Sequence, residues 1–220
     1  ILVSEALIEP LKLAKGRIPD PVILPNGLDL SRFEPAPKSI NPSKLLYIGN
    51  LFPAKGVQYL IQALAILKSQ GHDFYLDVVG SGAYGRELEQ LAITLNVHDK
   101  VSFKGVVLPD QIPELLTRHD ALVLPTLKES FGIVLIEALA SGLPVISTYS
   151  GGPEHIVGPE VGILVKPGSG QALSEGIIRL FNKWDNFEPE RIREYCRNHF
   201  DIRRISPKLA QIYREAVDTK

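Results

Sequence analysis

The sequence predicts an α/β fold, a Rossmann-like parallel sheet with helices on both faces, and three observations carry that prediction. Apolar runs of three to five residues, rich in β-branched side chains, recur along the chain. Between them lie stretches of eight to thirteen residues with apolar positions three and four apart. The two kinds alternate, and the short runs have no polar side, as expected of strands covered on both faces.

Taken in order, residues 4–16 read as a helix stopped by Gly16, and Pro21–Gly27 as a short strand ending in the Asn26-Gly27 turn. Residues 31–42 have Pro and Ser without periodicity, a linker composition. The alternation then begins, with strands at 45–48, 75–79, 101–103, 121–124, 144–146 and 162–165. Helices are expected at 57–69, 86–95, 111–118, 132–141 and 171–182, and the charged, amphipathic tail from 189 to 217 is expected to be helical.

The totals exclude several classes of function. A chain of 220 residues with 45% hydrophobic and 22% charged residues can bury a real core. A net charge of −1 gives no global pull toward nucleic acid or an acidic membrane. No apolar run has the length of a membrane span, and no signal-peptide pattern is present. The lone Cys196 cannot form an internal disulfide and fits a reducing compartment. The chain opens with Ile and has no Met, which reads as a piece of a longer protein.

In open parallel sheets, ligands sit beyond the carboxyl ends of the strands. Three such ends carry loops with chemistry. In the first, Gly49-Asn50-Leu-Phe-Pro-Ala-Lys55-Gly56, Lys55 stands beside the free amides of a helix start. This is either an anion site or a turn with a solvated lysine. The second, Gly80-x-Gly82-x-x-Gly85, matches a dinucleotide fingerprint. However, a βα unit precedes it, and the next strand ends Phe103-Lys104-Gly105 without an acid. Its glycines serve either close approach of a ligand or a tight turn. The third, Pro125-Thr-Leu-Lys-Glu129-Ser-Phe-Gly132, opens a helix whose first amides point past the strand end.

Glu137 is the one charge in the apolar helix expected at 132–141, so its carboxylate should be partly buried and should need a partner. Carboxylates at 129 and 137 would repel phosphate oxygens, but they accept hydrogen bonds from hydroxyl groups such as those of ribose or a sugar. The competing readings are a capping carboxylate at Glu129 and a structural acceptor at Glu137. The five histidines, at 72, 98, 119, 155 and 199, have no metal-ligand spacing. Between Arg179 and Arg214 nine Lys/Arg face five Asp/Glu, which reads as a solvated helix face.

At Glu129-Ser-Phe-Gly-Ile-Val-Leu-Ile-Glu137 the sequence resembles the Glu-x7-Glu motif of retaining nucleotide-sugar glycosyltransferases of the GT-B fold, family four. Asn26-Gly27-Leu28-Asp29 is similar to that family's interdomain loop, and Gly49…Lys55-Gly56 to its Gly-Arg-Leu…Lys-Gly loop. Val79-Gly80-Ser-Gly82, Val101–Gly105, Ala140–Val145 and Gly151-Gly152-Pro153 also find counterparts. The resemblance implies half of a GT-B fold. Residues 1–35 would be the end of the acceptor domain and the hinge, 36–200 the nucleotide-sugar-binding domain, and 201–220 a helix crossing back.

The same resemblance implies roles for individual residues. Lys55 binds the donor diphosphate and Glu129 contacts the transferred sugar, the two catalytic positions. Gly49 and Asn50 belong to the diphosphate loop. Amides of Phe131, Gly132 and Ile133 meet the distal phosphate or sugar, Glu137 holds the ribose hydroxyls, and backbone around Val106 lines the base. No metal and no cofactor is expected beyond the nucleotide-sugar substrate. The remaining partner is an N-terminal domain with the acceptor site. A cytoplasmic location follows, with room for peripheral membrane contact by the full-length protein. The family usually carries Arg at the position of Asn50. One diphosphate cation is therefore replaced, at an expected cost of roughly 10–100-fold in donor affinity. A dinucleotide-binding domain and a catalytically silent binding module stay open as alternatives.

Overall fold

The computed structural model describes residues 1–15 and 20–218. Six strands, β1 (Lys44–Ile48), β2 (Tyr75–Val79), β3 (Val101–Gly105), β4 (Ala121–Leu124), β5 (Val145–Thr148) and β6 (Gly162–Val165), form one sheet. Every pairing is parallel, in the order β3-β2-β1-β4-β5-β6. The helices are α1 (Ile8–Lys15), α2 (Val57–Ser69), α3 (Gly85–Thr94), α4 (Ile112–Thr117), α5 (Ile133–Ala140), α6 (Gly170–Asn182), α7 (Pro189–Phe200) and α8 (Ile202–Asp218).

The central strands are largely apolar because both faces of the sheet are covered there, while the edge strand β3 has Ser102 and Lys104 exposed. Leu45, Leu46 and Tyr47 of β1 and all of β4 and β5 are buried. Helix α2 turns Leu60, Ile61, Leu64 and Leu67 to the sheet and packs against α3 and α6, while α5 packs against α7. Each such leucine or isoleucine contributes about 1.5–3 kcal/mol by leaving water. Chain order reverses at β1, whose neighbours are β2 on one side and β4 on the other. A crevice opens at the carboxyl ends of strands at such a reversal.

The helices and strands from β1 to α6 stand within one or two residues of their expected positions. Two expectations change, and the helical tail gains detail. Pro21–Gly27 is no strand: it makes a single parallel bridge, with the Leu2 amide donating to Val22 O and the Leu24 amide to Leu2 O, both at 2.9 Å. Pro21 and Pro25 have no amide hydrogen with which to extend that ladder. Residues 31–42 are more than a linker. Phe33 and Ala36 are buried, and the Ala36 amide donates to Ser141 O at 3.1 Å. The C-terminal tail is two helices. They part at Asp201, where Leu28 N donates to Phe200 O (2.8 Å) and Ile202 N to Leu28 O (3.0 Å), docking the Asn26–Asp29 loop between them. Gly16, read as the stop of the first helix, lies outside the described residues.

The glycines of the Gly80–Gly85 loop have a structural use. Gly80 has a φ of +133°, and a Cβ on it would stand 1.9 Å from the carbonyl oxygen of Gly49. One on Gly82 would stand 2.2 Å from Leu51 O. The loop after β2 therefore lies directly on the backbone of the loop after β1, joined by Gly49 N to Val79 O (3.0 Å) and Leu51 N to Ser81 O (2.9 Å). It braces the neighbouring loop, and neither Gly80 nor Gly82 lines the crevice.

Candidate functional site

A cleft of about 420 Å³ opens where β1 and β4 end. Seven of the residues singled out in the sequence line it: Gly49, Asn50, Lys55, Glu129, Gly132, Ile133 and Glu137. Phe131 and Val106 do not line it. The Phe131 ring is buried edge-on against Phe200, with centroids 6.3 Å apart. Val106 is exposed, and its neighbour Val107 supplies the wall.

Lys55 ends a short 3-10 turn (Pro53–Lys55) whose Pro at the start fixes the chain direction, and Gly56 follows in the left-handed conformation. Its ammonium reaches across to Glu129, with Nζ 2.8 Å from Oε2. Both side chains are largely withdrawn from water, at 30% and 16% exposure. The other carboxylate oxygen of Glu129 accepts the Ser130 amide at 3.1 Å. Glu129 is thus an ion-pair partner that also accepts its neighbour's amide, and it does not cap α5, whose N-cap Gly132 takes no side-chain hydrogen bond.

The loop carrying Glu129 is built rigidly. The Glu129 amide donates to Ser150 O (2.9 Å), and the Gly152 amide returns to Glu129 O (2.7 Å). Buried hydroxyls tie the ends of β4 and β5 together: Ser147 Oγ donates to Leu124 O at 2.8 Å, and Thr148 Oγ1 to Thr126 O at 2.5 Å. After the loop, α5 starts at Ile133 with Gly132 in the left-handed region at its N-cap. The amides of Phe131, Gly132 and Ile133 donate to no group among the described residues. Helix starts leave such donors pointing outward, with positive potential.

Of the two readings of Glu137, a structural acceptor finds no support. Glu137 is half-buried on the cleft wall and makes no hydrogen bond or ion pair among the described residues. Burial pushes its carboxyl above the ordinary value, and the positive charge of Arg32 opposes that shift. The site therefore has one paired acid, one unpaired acid, one ammonium and a helix start. Such a set can hold an anion beside hydroxyl groups.

Several cleft residues were not found from the sequence. Tyr47 is fully buried, and its hydroxyl donates to Asn50 O at 2.8 Å, bracing the loop that presents Asn50 and Lys55. Burial and the charge of Glu129 both push its phenol pKa up. Val107, Pro109 and Ile112 form an apolar wall. Arg32, placed in the linker, donates to Pro109 O at 3.3 Å and so holds that wall from outside. The position of Tyr47 near the end of β1, and of Val107 and Pro109 just past β3, was the available signal, and Arg32 gave none. Among the described residues no group of three or more His, Cys, Asp or Glu is drawn together, and no helix is long and apolar enough to cross a membrane.

The sequence and the fold have counterparts in known proteins. An uncharacterized glycosyltransferase of Methanocaldococcus jannaschii is 36% identical over 156 residues, which cover 70% of this chain and 38% of that protein. The sucrose-phosphate synthase of Thermosynechococcus elongatus superposes with a TM-score of 0.87 at 28% identity, covering 100% of this chain and 58% of its own. Anabaena HepE, solved in complex with UDP and glucose, gives a TM-score of 0.83 at 25% identity, over 96% of this chain and 61% of that one. The chain spans about half or less of the length of the curated relatives it matches. The family model described as glycosyl transferases group 1 matches residues 32–199, and the chain belongs to that family.

Proposed function

We propose that this chain is the donor-binding part of a glycosyltransferase that moves a sugar from a nucleotide diphosphate sugar to an acceptor hydroxyl with retained anomeric configuration. The observation that carries the reading is the convergence of Lys55, Glu129 and Glu137 on one cleft at the sheet's reversal point. The donor diphosphate takes the Lys55 ammonium and the amides of Phe131, Gly132 and Ile133. Competition for Lys55 then frees Glu129 to accept hydroxyls of the transferred sugar. The unpaired Glu137 carboxylate accepts the two ribose hydroxyls, each a charge-assisted bond. The apolar wall at Val107 and the backbone around Val106 face the base.

Catalysis in this scheme is electrostatic. As the glycosidic bond to the diphosphate breaks, negative charge grows on the leaving oxygens, and the fixed ammonium and helix-start amides stabilise it. The protein groups supply the charge, and the proposal needs no metal. Residues 1–35 belong in this reading to the acceptor domain and hinge, 36–200 to the donor domain, and 201–220 to a helix returning to an N-terminal acceptor domain. The full-length protein works in the cytoplasm, with an acceptor that sets any contact with a membrane surface.

Titration of the chain with UDP, GDP, ADP and NAD by calorimetry tests the reading. Binding of at least one nucleoside diphosphate in preference to NAD is expected. Heat with none of the diphosphates, and no rise in melting temperature, would remove it. For the full-length protein, proton NMR of the fresh product reads the anomer directly, and an inverted product would contradict retention.

A further inference from the structure

The segment that precedes the hinge touches the donor loop through one buried hydroxyl. Ser4 is 0% exposed, and its Oγ donates to the carbonyl oxygen of Ser130, 126 residues away. The same segment also lies against the next loop, since a Cβ on Gly151 would meet the Ala6 methyl at 2.9 Å. Ser130 C=O and Phe131 N–H belong to one planar trans peptide, so fixing the carbonyl fixes the opposite direction for the amide. Gly152 closes the other side: a Cβ there would stand 2.4 Å from Phe131 N and 2.6 Å from Ser130 C. Residues 2–6 and 150–152 therefore clamp one peptide unit between them.

We propose that Ser4 is a positioning residue: its hydroxyl holds the Ser130–Phe131 peptide so that the Phe131 amide is turned to the cleft, toward the outer phosphate of the donor. The inference rests on the cleft being a donor site, and it adds that donor binding depends on a residue outside the matched family segment of 32–199. The hydroxyl is well suited to this. The fully buried Ser4 hydroxyl has this carbonyl as its acceptor and would be left without one if the peptide turned, so the peptide has one favoured orientation while Ser4 is present. Removing the hydroxyl lets the unit rotate, and the amide loses its aim without any change in charge at the site.

Two readouts test this on the 220-residue chain with Ser4→Ala. In the ligand-free protein, hydrogen exchange of the Glu129 and Gly152 amides should quicken roughly three- to tenfold, the factor a single lost hydrogen bond is worth. Exchange in β1 and α2 should stay unchanged. In titrations, affinity for a nucleoside diphosphate should fall by about the same factor, with the parent nucleoside unaffected. Ser4→Thr and Ser4→Val provide a size-matched pair differing only in the hydroxyl, with Thr expected to behave as Ser and Val as Ala. Unchanged loop exchange, acceleration spread over the whole sheet, or equal loss for nucleoside and diphosphate would each overturn the inference. If the unmodified chain binds no nucleotide, the donor reading falls, and the exchange comparison decides the Ser4 clamp alone.

Discussion

Lys55 Nζ donates to Glu129 Oε2 at 2.8 Å, joining two loops whose residues are 74 apart in the chain. Each charge neutralises the other inside the cleft. Under the proposed function, a diphosphate offers the lysine a stronger partner than one carboxylate, and donor entry exchanges the pair for two new contacts. Lys55→Met should therefore lower nucleoside diphosphate affinity by roughly 10–100-fold, the equivalent of one charge-assisted hydrogen bond. Folding stability should change by less than about 1 kcal/mol, because a partly exposed ion pair contributes little. Calorimetry against the diphosphate and the bare nucleoside checks it: equal losses for both would show that Lys55 does not touch phosphate.

Glu137 trades stability for binding, and pH separates the two. Burial raises its carboxyl pKa above the ordinary 4.5, so the folded state favours the protonated form. The sign follows from linkage. That contribution to stability is fully present below pH 4.5 and is lost as pH rises through the folded value. At neutral pH the half-buried carboxylate, with no partner among the described residues, is a cost. Glu137→Gln should raise the melting temperature at pH 7–8 by about 2–4 °C, as expected for relief of roughly 1 kcal/mol. The gain should vanish near pH 4. Scanning calorimetry across that range reads it, and a gain independent of pH would assign the effect to packing.

The sheet and its helices were readable because parallel strands buried on both faces leave uninterrupted apolar runs, as in Ala121–Leu124, and because α2 follows helical spacing over its whole length. The acid on the cleft wall was readable for the same reason in reverse, since Glu137 breaks an otherwise apolar helix. What stayed hidden depends on contacts distant in sequence. Ser4 and Arg32 look like ordinary polar residues until the fold sets them against Ser130 and Pro109. The Gly80 loop stayed ambiguous in the sequence because a close backbone approach to a ligand and to another loop require the same residue.

Asn50 stands on the cleft rim with its backbone carbonyl tied to Tyr47 and its side chain exposed. Placing a cation there adds charge where the diphosphate is expected, without disturbing the Tyr47 bond, which uses the main chain. Asn50→Arg should raise nucleoside diphosphate affinity about tenfold or more, and the gain should shrink as salt screens the added charge. Titrations at low and high ionic strength measure both. No gain at either would mean that phosphate binds out of reach of the loop's first residues.

Gly80 tests whether the bracing between loops matters to the site. A Cβ at this position would fall 1.9 Å from Gly49 O, in a backbone conformation of φ +133° that side chains rarely adopt. The contact is with backbone, so relief requires one of the two loops to move. Gly80→Ala should destabilise the fold by about 2–4 kcal/mol, combining overpacking with backbone strain. The shift should also reach the ligand, because Gly49 and Asn50 line the cleft and Lys55 follows on the same loop. Urea denaturation gives the stability change, and titration well below the unfolding transition gives the affinity. A stable Gly80→Ala protein with unaltered nucleotide affinity would show that the two loops are not mechanically joined.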